Sequence, residues 1–482
     1  MNPSDEKNPA SAPADPSDQD GKLPFKEKLA YAAAHPVDLM AGGAVGALTN
    51  PIFVILMGVS PSVISLVSVI YRVWDAFTDI GAGWISDNAR TRWGRRRPFI
   101  FVGAIVTGVW MPVIWFFPQT WPTALLVVWM VGAWMVRDVF ASMWNVPYQC
   151  LLLEMTSSSK ERTNISALRS YFGGAGALVV GWVWFLTQLA VFNDASGKPD
   201  IILGARWVTA GFGLVIIVLG LLPFFFVKER FYHQASKQPK VSLRDNFRFT
   251  FTNRPFILLA VFTLVVTVGT SAKAGLAFYT KLYHVFGGDQ KLAATVAGVE
   301  STVTLVVGLM GIPIFQWISK RFGNKPTLIL AMAIVSTASL STIFTYTPTM
   351  PYLTVLTAIL LAPATSGMWL MMPPMLGDIV DYDELRTSER REGAFSSIYS
   401  WILKMGYSVG VGISGPLVEF VGFRVAAKAH QPAEVILTMR ILLAAIPATL
   451  VGLGILVLWF YPLNRAKMRE VNAELETRRG KV

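Results

Sequence analysis

The chain has 482 residues, of which 53% are hydrophobic and only 15% are charged, and its formal net charge is +12. This composition is typical of a protein that crosses a membrane many times, and it excludes an ordinary soluble fold. The single cysteine, Cys150, excludes an intramolecular disulfide and a cysteine-based metal centre. Because the basic residues lie in short loops between apolar runs, they indicate membrane topology, and we expect no nucleic-acid partner.

Twelve apolar segments follow one another, each long enough to cross a lipid bilayer as an α-helix. We predict these spans over residues 35–58, 61–86, 99–117, 121–154, 164–192, 202–227, 254–286, 293–318, 326–346, 350–380, 392–421 and 432–461. The sequence therefore predicts an all-α membrane protein.

The longest polar connection divides the spans into six and six. We expect a disordered tail (1–24), an N-terminal six-helix bundle (25–227), a central loop (228–253), a C-terminal six-helix bundle (254–462) and a C-terminal tail (463–482). Trp84-Ile85-Ser86 ends the second span before a basic loop, and Trp317-Ile318-Ser319 ends the eighth span in the same way. This repeat predicts two pseudo-twofold bundles around a central cavity, which is the plan of alternating-access transporters.

Basic residues are unequally divided between the two sets of loops. Counted with Arg254 and Arg206 at the ends of the adjoining spans, the loops after the even-numbered spans carry twenty lysines and arginines, and those after the odd-numbered spans carry five. The positive-inside rule then places the even-numbered loops and both tails in the cytoplasm, with the protein in the cytoplasmic (inner) membrane.

The second span carries three charges near its middle, Arg72, Asp75 and Asp79. The two aspartates are four residues apart, so they share one helix face and repel each other. A charge at this depth is costly unless it is neutralised. A bound cation or proton explains both carboxylates, whereas an ion pair between Arg72 and Asp75 explains only one.

Three groups of motifs resemble those of one transporter family. The first group is Asp75-x-x-x-Asp79, Gly83-Trp84-Ile85-Ser86-Asp87 and Arg92-Trp93-Gly94-Arg95-Arg96-Arg97-Pro98. The second is Asn145-Val146-Pro147-Tyr148, Glu161-Arg162-Thr163 and Arg169. The third is Gly377-Asp378-Ile379-Val380-Asp381-Tyr382, Arg390-Arg391-Glu392-Gly393 and Lys404. Together they resemble the glycoside–pentoside–hexuronide:cation symporters of the major facilitator superfamily, to which the melibiose permeases belong.

This resemblance implies that Asp75 and Asp79 bind the coupling cation, with Thr78 and Ser142 as candidate neutral ligands. Asn145 stands where the melibiose permeases have a third carboxylate. Sodium prefers several oxygen ligands, some of them anionic. The absence of this third carboxylate therefore favours H+ over Na+ as the coupling ion. Apart from this ion, we expect no cofactor and no structural metal.

Lys404 lies inside the eleventh span, where a buried ammonium needs a partner. In the family, the matching lysine lies near the carboxylates of the second span. We therefore expect Lys404 to compete with the cation for Asp75 and Asp79. A static salt bridge is the alternative.

The resemblance places Asp38, Arg169 and Trp369 at the sugar. A carboxylate accepts sugar hydroxyls, a guanidinium donates in a fixed fork, and an indole stacks on a pyranose. Asn145 and Gln149 belong to the same candidate site, but Gln149 replaces a sugar-facing tryptophan of the family.

Extra charges distinguish this chain from the melibiose permeases, namely Lys273 and Lys281 on the seventh span and Arg137 and Asp138 on the fourth. If Lys273 faces the cavity, it suits an anionic substrate such as a uronide or a sulfosugar. Alternatively, Lys281 reaches the outer surface and Lys273 pairs with Asp138 or Glu300.

Charged residues at the predicted cytoplasmic face suggest a gate that closes when the cavity opens outward. Arg162, Asp378 and Asp381 are its candidates, and several weak ion pairs together bias such an equilibrium. The alternative is that these charges only set the topology.

The sequence thus predicts a sugar or glycoside:cation symporter that works by alternating access as a monomer, with the sugar, the cation and the lipid bilayer as its partners. It carries no recognisable enzyme motif, so we predict that it is not an enzyme. A lysolipid:cation symporter is the alternative within transport, and a membrane sugar sensor is the alternative outside it.

Overall fold

A computed structural model describes residues 23–156, 159–229, 252–388, 391–428 and 430–479. Within these ranges the chain forms twelve long helices and a shorter terminal helix. They are α1 (Phe25–Leu56), α2 (Pro61–Asn88), α3 (Arg97–Val113), α4 (Thr123–Met155), α5 (Ser159–Gly181), α6 (Ile201–Phe226), α7 (Arg254–Val285), α8 (Gln290–Phe322), α9 (Asn324–Thr345), α10 (Thr354–Thr387), α11 (Glu392–Phe420), α12 (Ala433–Trp459) and α13 (Arg465–Arg479).

Several helices begin at a polar residue whose side chain accepts a hydrogen bond from the first turn. Ser60 caps α2, Asp200 caps α6, Asn253 caps α7 and Asp289 caps α8. These side chains satisfy backbone N–H groups that the helix itself leaves without a partner. The helix starts are therefore encoded locally.

Eight of the described helices are long and apolar enough to cross a membrane by length and composition. The others are α2, α5 and α11, together with α3, which is apolar but spans only 17 residues. Two of these helices carry the charges of the site, Asp75 and Asp79 on α2 and Lys404 on α11. Helices that face a polar cavity can be less hydrophobic, because lipid does not surround them.

The two halves repeat the same packing. In the first half α3 packs on α6, α2 and α3 pack on α4, and α1 packs on α5 and α6. Adding six to each number gives the contacts of the second half, in which α9 packs on α12, α8 and α9 pack on α10, and α7 packs on α11 and α12. The chain thus forms two equivalent six-helix bundles.

The bundles meet along two seams, α2 against α11 and α5 against α8. We call the side on which α1 begins and α12 ends the tail side. At the far end of the first seam, Ser62 Oγ donates to Glu419 Oε2 at 2.6 Å, and the backbone N–H of Gly415 donates to Ser65 Oγ at 2.8 Å. At the same end of the second seam, Trp182 Nε1 donates to Thr302 Oγ1 at 3.0 Å. These contacts close the molecule on the side away from the tails.

Helices α1 and α7, which correspond in the repeat, both end in a π-helical turn, Asn50–Leu56 and Thr280–Val285. The hydroxyl of Tyr279 donates to Asn50 Oδ1 at 3.2 Å, so the two helices also touch across the halves at this end. π-Helical turns are rare and often occur at functional sites.

The ends of the chain differ in part from the prediction. Helix α1 begins at Phe25, ten residues before the predicted first span. Residues 465–479, predicted as tail, form α13, which packs against α10. Most of the predicted N-terminal tail (1–24) and of the central loop (228–253) lies outside the described residues.

Candidate cation and substrate site

A cavity of about 600 Å³ lies between the two bundles. Its lining comes from α1, α2 and α4 of the first half and from α7 and α11 of the second. The charged residues that line it are Asp38, Arg72, Asp75, Asp79, Arg137 and Lys404. The volume is within the range of small-molecule sites.

Lys404 joins the two halves at this cavity. Its Nζ atom lies 2.7 Å from Asp79 Oδ2 and 3.3 Å from Asp75 Oδ2, so one ammonium from α11 bridges both carboxylates of α2 and offsets one of their two negative charges. The Lys404 side chain remains 43% exposed, which leaves it accessible from the cavity. The alternative of an ion pair between Arg72 and Asp75 is not seen among the described residues, and Lys404 contacts both carboxylates instead.

A second, smaller cavity of about 50 Å³ adjoins the first. It is lined by Asp38, Asp75 and Asp79 and by one further carboxylate, Asp138 of α4. Thr78 Oγ1 lies 3.0 Å from Asp138 Oδ2 and 3.1 Å from Ser142 Oγ. The two hydroxyls proposed from the sequence as neutral ligands therefore lie together, and Asp138 lies beside them.

Asp138 is the residue that sequence reasoning missed at this site. It is only 2% exposed, and Asn145, the position where a carboxylate was sought, lines the same small cavity. The two residues are seven apart, which is about two turns on one helix face. That spacing is the signal that could have identified Asp138 as the carboxylate of α4.

Arg137 lies at the edge of both cavities, but its guanidinium is occupied. It donates to the carbonyl of Ala41 at 2.8 Å and to the Tyr71 hydroxyl at 2.6 Å, and it lies 3.7 Å from Asp138. The residue is 4% exposed. It therefore stabilises the packing of α4 against α1 and α2 beside the buried carboxylate.

Arg169 lies in a separate group with residues of α1 and α4. Its guanidinium is 3.3 Å from His35 Nδ1 and 3.4 Å from Gln149 Oε1, and Gln149 in turn donates to Asn145 Oδ1 at 3.3 Å. The rings of Tyr31 and Tyr148 flank the guanidinium. Asn145 therefore connects this group to the cavity lining, while Arg169 and Gln149 themselves are not part of that lining.

The other sugar candidates are dispersed. Asp38 lines both cavities. Trp369 is 43% exposed on α10, which does not contribute to the central lining. Lys273 sits at the break within α7 next to the lining residue Ala274, but it does not line the cavity itself. The structure thus brings Asp38, Asn145 and the cation candidates together, and it leaves Trp369 and Lys273 outside this group.

The alternative partner assignment for the α7 lysines is wrong. Lys281, not Lys273, pairs with Glu300, at 2.5 Å, and its ammonium also lies over the Tyr346 ring. Asp138 contacts Thr78 and Arg137 instead of Lys273.

Two of the gate candidates, Arg162 and Asp378, each contact a residue of their own half. Arg162 Nε donates to the Thr156 carbonyl at 3.1 Å, and Asp378 Oδ2 accepts from Asn324 Nδ2 at 3.4 Å. Asp381, also on α10, lies three residues further along that helix. Since the opposite side is closed, this is the state in which a tail-side gate would be open.

Comparison with known proteins agrees with this architecture. Residues 39–465 match the family described as "MFS/sugar transport protein". The chain is 25% identical to the isoprimeverose transporter of Lactiplantibacillus pentosus over 98% of this chain and 95% of that protein. It is 27% identical to the glucuronide carrier protein homolog of Escherichia coli (strain K12), over 88% and 89%. It is 24% identical to the sodium-dependent lysophosphatidylcholine symporter 1-A of Danio rerio, over 96% and 90%.

Solved structures share the fold. A bacterial homologue of the human lysosomal transporter Spinster, inward-facing and unoccupied, superposes with a TM-score of 0.63 at 14% identity, covering 96% of this chain and all of that one. A D-xylose–proton symporter superposes with a TM-score of 0.58 at 15% identity, covering 91% and 97%. The predictions of a major facilitator fold and of a membrane transporter instead of an enzyme are confirmed. The chain belongs to the MFS/sugar transport family, whose members include the glycoside:cation symporters that its motifs resemble.

Proposed function

We propose that this protein is a sugar or glycoside:cation symporter in which Asp75 and Asp79 hold the coupling cation and the central cavity holds the sugar. The observation that carries the proposal is the position of Lys404. Its ammonium comes from one half of the molecule and forms ion pairs with two carboxylates of the other. A cation that binds these carboxylates must displace Lys404, and this loosens a contact between the halves.

This exchange provides a physical basis for coupling. With the cation bound, the ammonium is released from α2, and the halves are freer to rock about the cavity. Sugar and cation must each raise the other's affinity by the same factor, because linkage is reciprocal. We propose that the tail side faces the cytoplasm, that the protein lies in the cytoplasmic membrane, and that a monomer suffices.

Two candidates for the coupling ion have separate support. The absence of a carboxylate at Asn145 favours a proton, as argued from the sequence. The contacts of Asp138 with Thr78, and of Thr78 with Ser142, favour sodium, because they supply a third carboxylate and two hydroxyl oxygens next to Asp75. Sodium is therefore the second candidate.

The test is sugar-driven ion movement into de-energised proteoliposomes, with the external pH recorded in the presence and absence of sodium. The panel contains neutral glycosides, pentosides, uronides and a sulfosugar. A rise in external pH without sodium identifies proton coupling, and sodium-dependent uptake at constant pH identifies sodium coupling. Binding without counterflow would indicate a sensor, and uptake of lysophosphatidylcholine with no response to any sugar would contradict the proposal.

A further inference from the structure

The tail-side end of α6 carries two exposed aromatic residues, Phe225 and Phe226. Helix α6 is long and apolar enough to cross a membrane, so its last turn marks the level at which acyl chains meet headgroups. Trp93 of the α2–α3 loop is also exposed and meets Phe224 of this helix end edge-on, with 5.9 Å between the ring centroids. Tryptophan is enriched at this level of a bilayer, because its ring is apolar at one end and polar at the other. The end of α6 therefore borders the lipid headgroups.

Two different elements bring cations to this helix end. From α1, Lys26 Nζ lies 4.7 Å from the centroid of the Phe226 ring. From the α2–α3 loop, the guanidinium of Arg92 lies 4.7 Å from the centroid of the Trp93 ring. A further exposed cation, Lys228, follows directly beyond the helix. We call this group the α6 collar, and it consists of Lys26, Arg92, Trp93, Phe226 and Lys228.

The carboxylates beside the collar are already engaged. Glu229 accepts three backbone N–H groups at the start of α3, and Asp87 pairs with Arg96 at 2.8 Å. The cations of the collar form no ion pair within the described ranges. The collar therefore carries positive charge that the protein itself does not balance.

The internal repeat separates this charge from the cations that the fold needs. Arg97 Nε donates to the carbonyl of Phe224 at 2.7 Å and so caps the end of α6. In the second half Lys325, which also precedes a proline, donates to the carbonyls of Trp459 at 2.9 Å and Tyr461 at 2.7 Å and so caps the end of α12. Each half thus uses one cation to close this helix end, and the collar is additional to that role.

We propose that the α6 collar binds the headgroup of an anionic phospholipid from the tail-side leaflet. Phosphate oxygens accept charge-assisted hydrogen bonds from ammonium and guanidinium groups, and basic groups at this level of transmembrane helices bind such headgroups. Because the cations come from two separate elements, a lipid with two phosphates, cardiolipin, fits them better than a lipid with one. An acidic soluble protein would also balance the charge, but it gives no role to rings at the level of the bilayer surface.

The experiment is a titration of the full-length protein in detergent with tetraoleoyl cardiolipin and, separately, with dioleoyl phosphatidylcholine, followed by native mass spectrometry. The wild type should bind one cardiolipin in preference to phosphatidylcholine. We expect Lys26→Gln and Arg92→Gln each to weaken cardiolipin binding by about fivefold, and the double variant by about 25-fold, because each basic residue near the headgroups adds a similar attraction. Phosphatidylcholine binding should not change.

Lys320→Gln is the matched control, because it removes another exposed tail-side cation that has no ion pair within the described ranges, but in the other half of the molecule. It should change cardiolipin binding by less than about twofold, since the attraction is screened with distance. Phe226→Leu removes the ring beneath Lys26 without changing the charge, and it should weaken cardiolipin binding less than Lys26→Gln does.

Thermal unfolding in detergent without added lipid verifies that each variant is folded. If Arg92→Gln does not fold, Lys26→Gln decides, and an affinity equal to that of the wild type overturns the site. An equal loss in Lys320→Gln would mean that the lipid responds only to general surface charge, which also overturns it.

Two further outcomes test the chemistry of the ligand. Equal affinity of the wild type for dioleoyl phosphatidylglycerol and for cardiolipin would overturn the preference for two phosphates. Displacement of bound cardiolipin by sn-glycerol 3-phosphate at equal concentration would show that a free phosphate suffices, and it would overturn the lipid assignment. Because the readout is bound lipid, each result holds whether or not a sugar is transported.

Discussion

At the scale of single residues, the proposed coupling between cation binding and movement of the halves depends on Lys404. We expect Lys404→Ala to increase the apparent cation affinity, because the ammonium no longer competes for Asp75 and Asp79, and to reduce accumulation of sugar against a gradient. Uptake at varied pH and sodium concentration measures both. Lys281→Ala is the control, since it removes another intramembrane lysine paired with a carboxylate, Glu300. Unchanged cation dependence in Lys404→Ala would mean that its ion pair is only structural.

A second residue-scale prediction concerns the start of α3. The carboxylate of Glu229 accepts the backbone N–H groups of Arg95, Arg96 and Arg97, so it caps this helix from the end of α6. Gly94 precedes them with φ of +105°, and a Cβ there would lie 2.7 Å from Glu229 Oε1. We expect Gly94→Ala to destabilise the protein by about 1–2 kcal/mol for the backbone and about 0.5–2 kcal/mol for the displaced cap.

Thermal unfolding in detergent tests this expectation against Gly197→Ala. Gly197 also has a positive φ, +80°, but a Cβ there meets nothing within 4 Å. This control carries the backbone strain without the loss of the cap. Equal decreases in Tm for the two variants would contradict the capping role of Glu229.

At the scale of helices, the seam between α2 and α11 depends on Gly415. A Cβ at this position would lie 2.1 Å from the Pro61 carbonyl oxygen. Gly415→Val therefore separates the helices at the end away from the tails and favours the state that is open there. In a Cys150→Ser background, we expect faster labelling of Ser68→Cys, a cavity-lining position, by a membrane-impermeant thiol reagent from that side. Gly452→Val on α12, where a Cβ has free space, is the control, and equal labelling rates would contradict the prediction.

The helices themselves could be largely predicted from the sequence, because apolar length and basic loops reflect the bilayer directly. The second span was predicted at 61–86, and α2 is Pro61–Asn88. The start of α1 at Phe25 was missed, because the segment before His35 is polar enough to resemble a tail. The same reason explains α13, whose charged sequence carries no span signal, yet Met468, Val471 and Leu475 are buried in the core of the second half.

At the scale of the whole molecule, the candidate site could be predicted only where its members share one helix. Asp75 and Asp79 follow from their spacing on α2, and the resemblance supplied Lys404 on α11. The exposure of Arg72 to the cavity depends on how five helices surround one space, which no local pattern encodes, whereas the seven-residue spacing from Asn145 could have identified Asp138. Asn145 shows the limit of prediction from sequence most clearly. The sequence suggested that α4 lacks a carboxylate at this site, whereas the fold places the carboxylate of Asp138 there, two turns from Asn145.

The final prediction concerns the alternation between the two states. In this structure Arg162 and Asp378 have partners within their own halves, Thr156 and Asn324. Once the opposite side opens, the tail-side ends approach, and we expect Arg162 and Asp378 to pair across the halves. Each exposed pair contributes about 0–1 kcal/mol, which shifts a balanced two-state equilibrium by up to about fivefold. Arg162→Ala and Asp378→Ala should therefore both slow labelling of Ser68→Cys from the side away from the tails. The double variant should be labelled no more slowly than either single variant. The charge swap, Arg162→Asp with Asp378→Arg, should restore the labelling rate. Additive effects without this rescue would show that these charges do not form a gate.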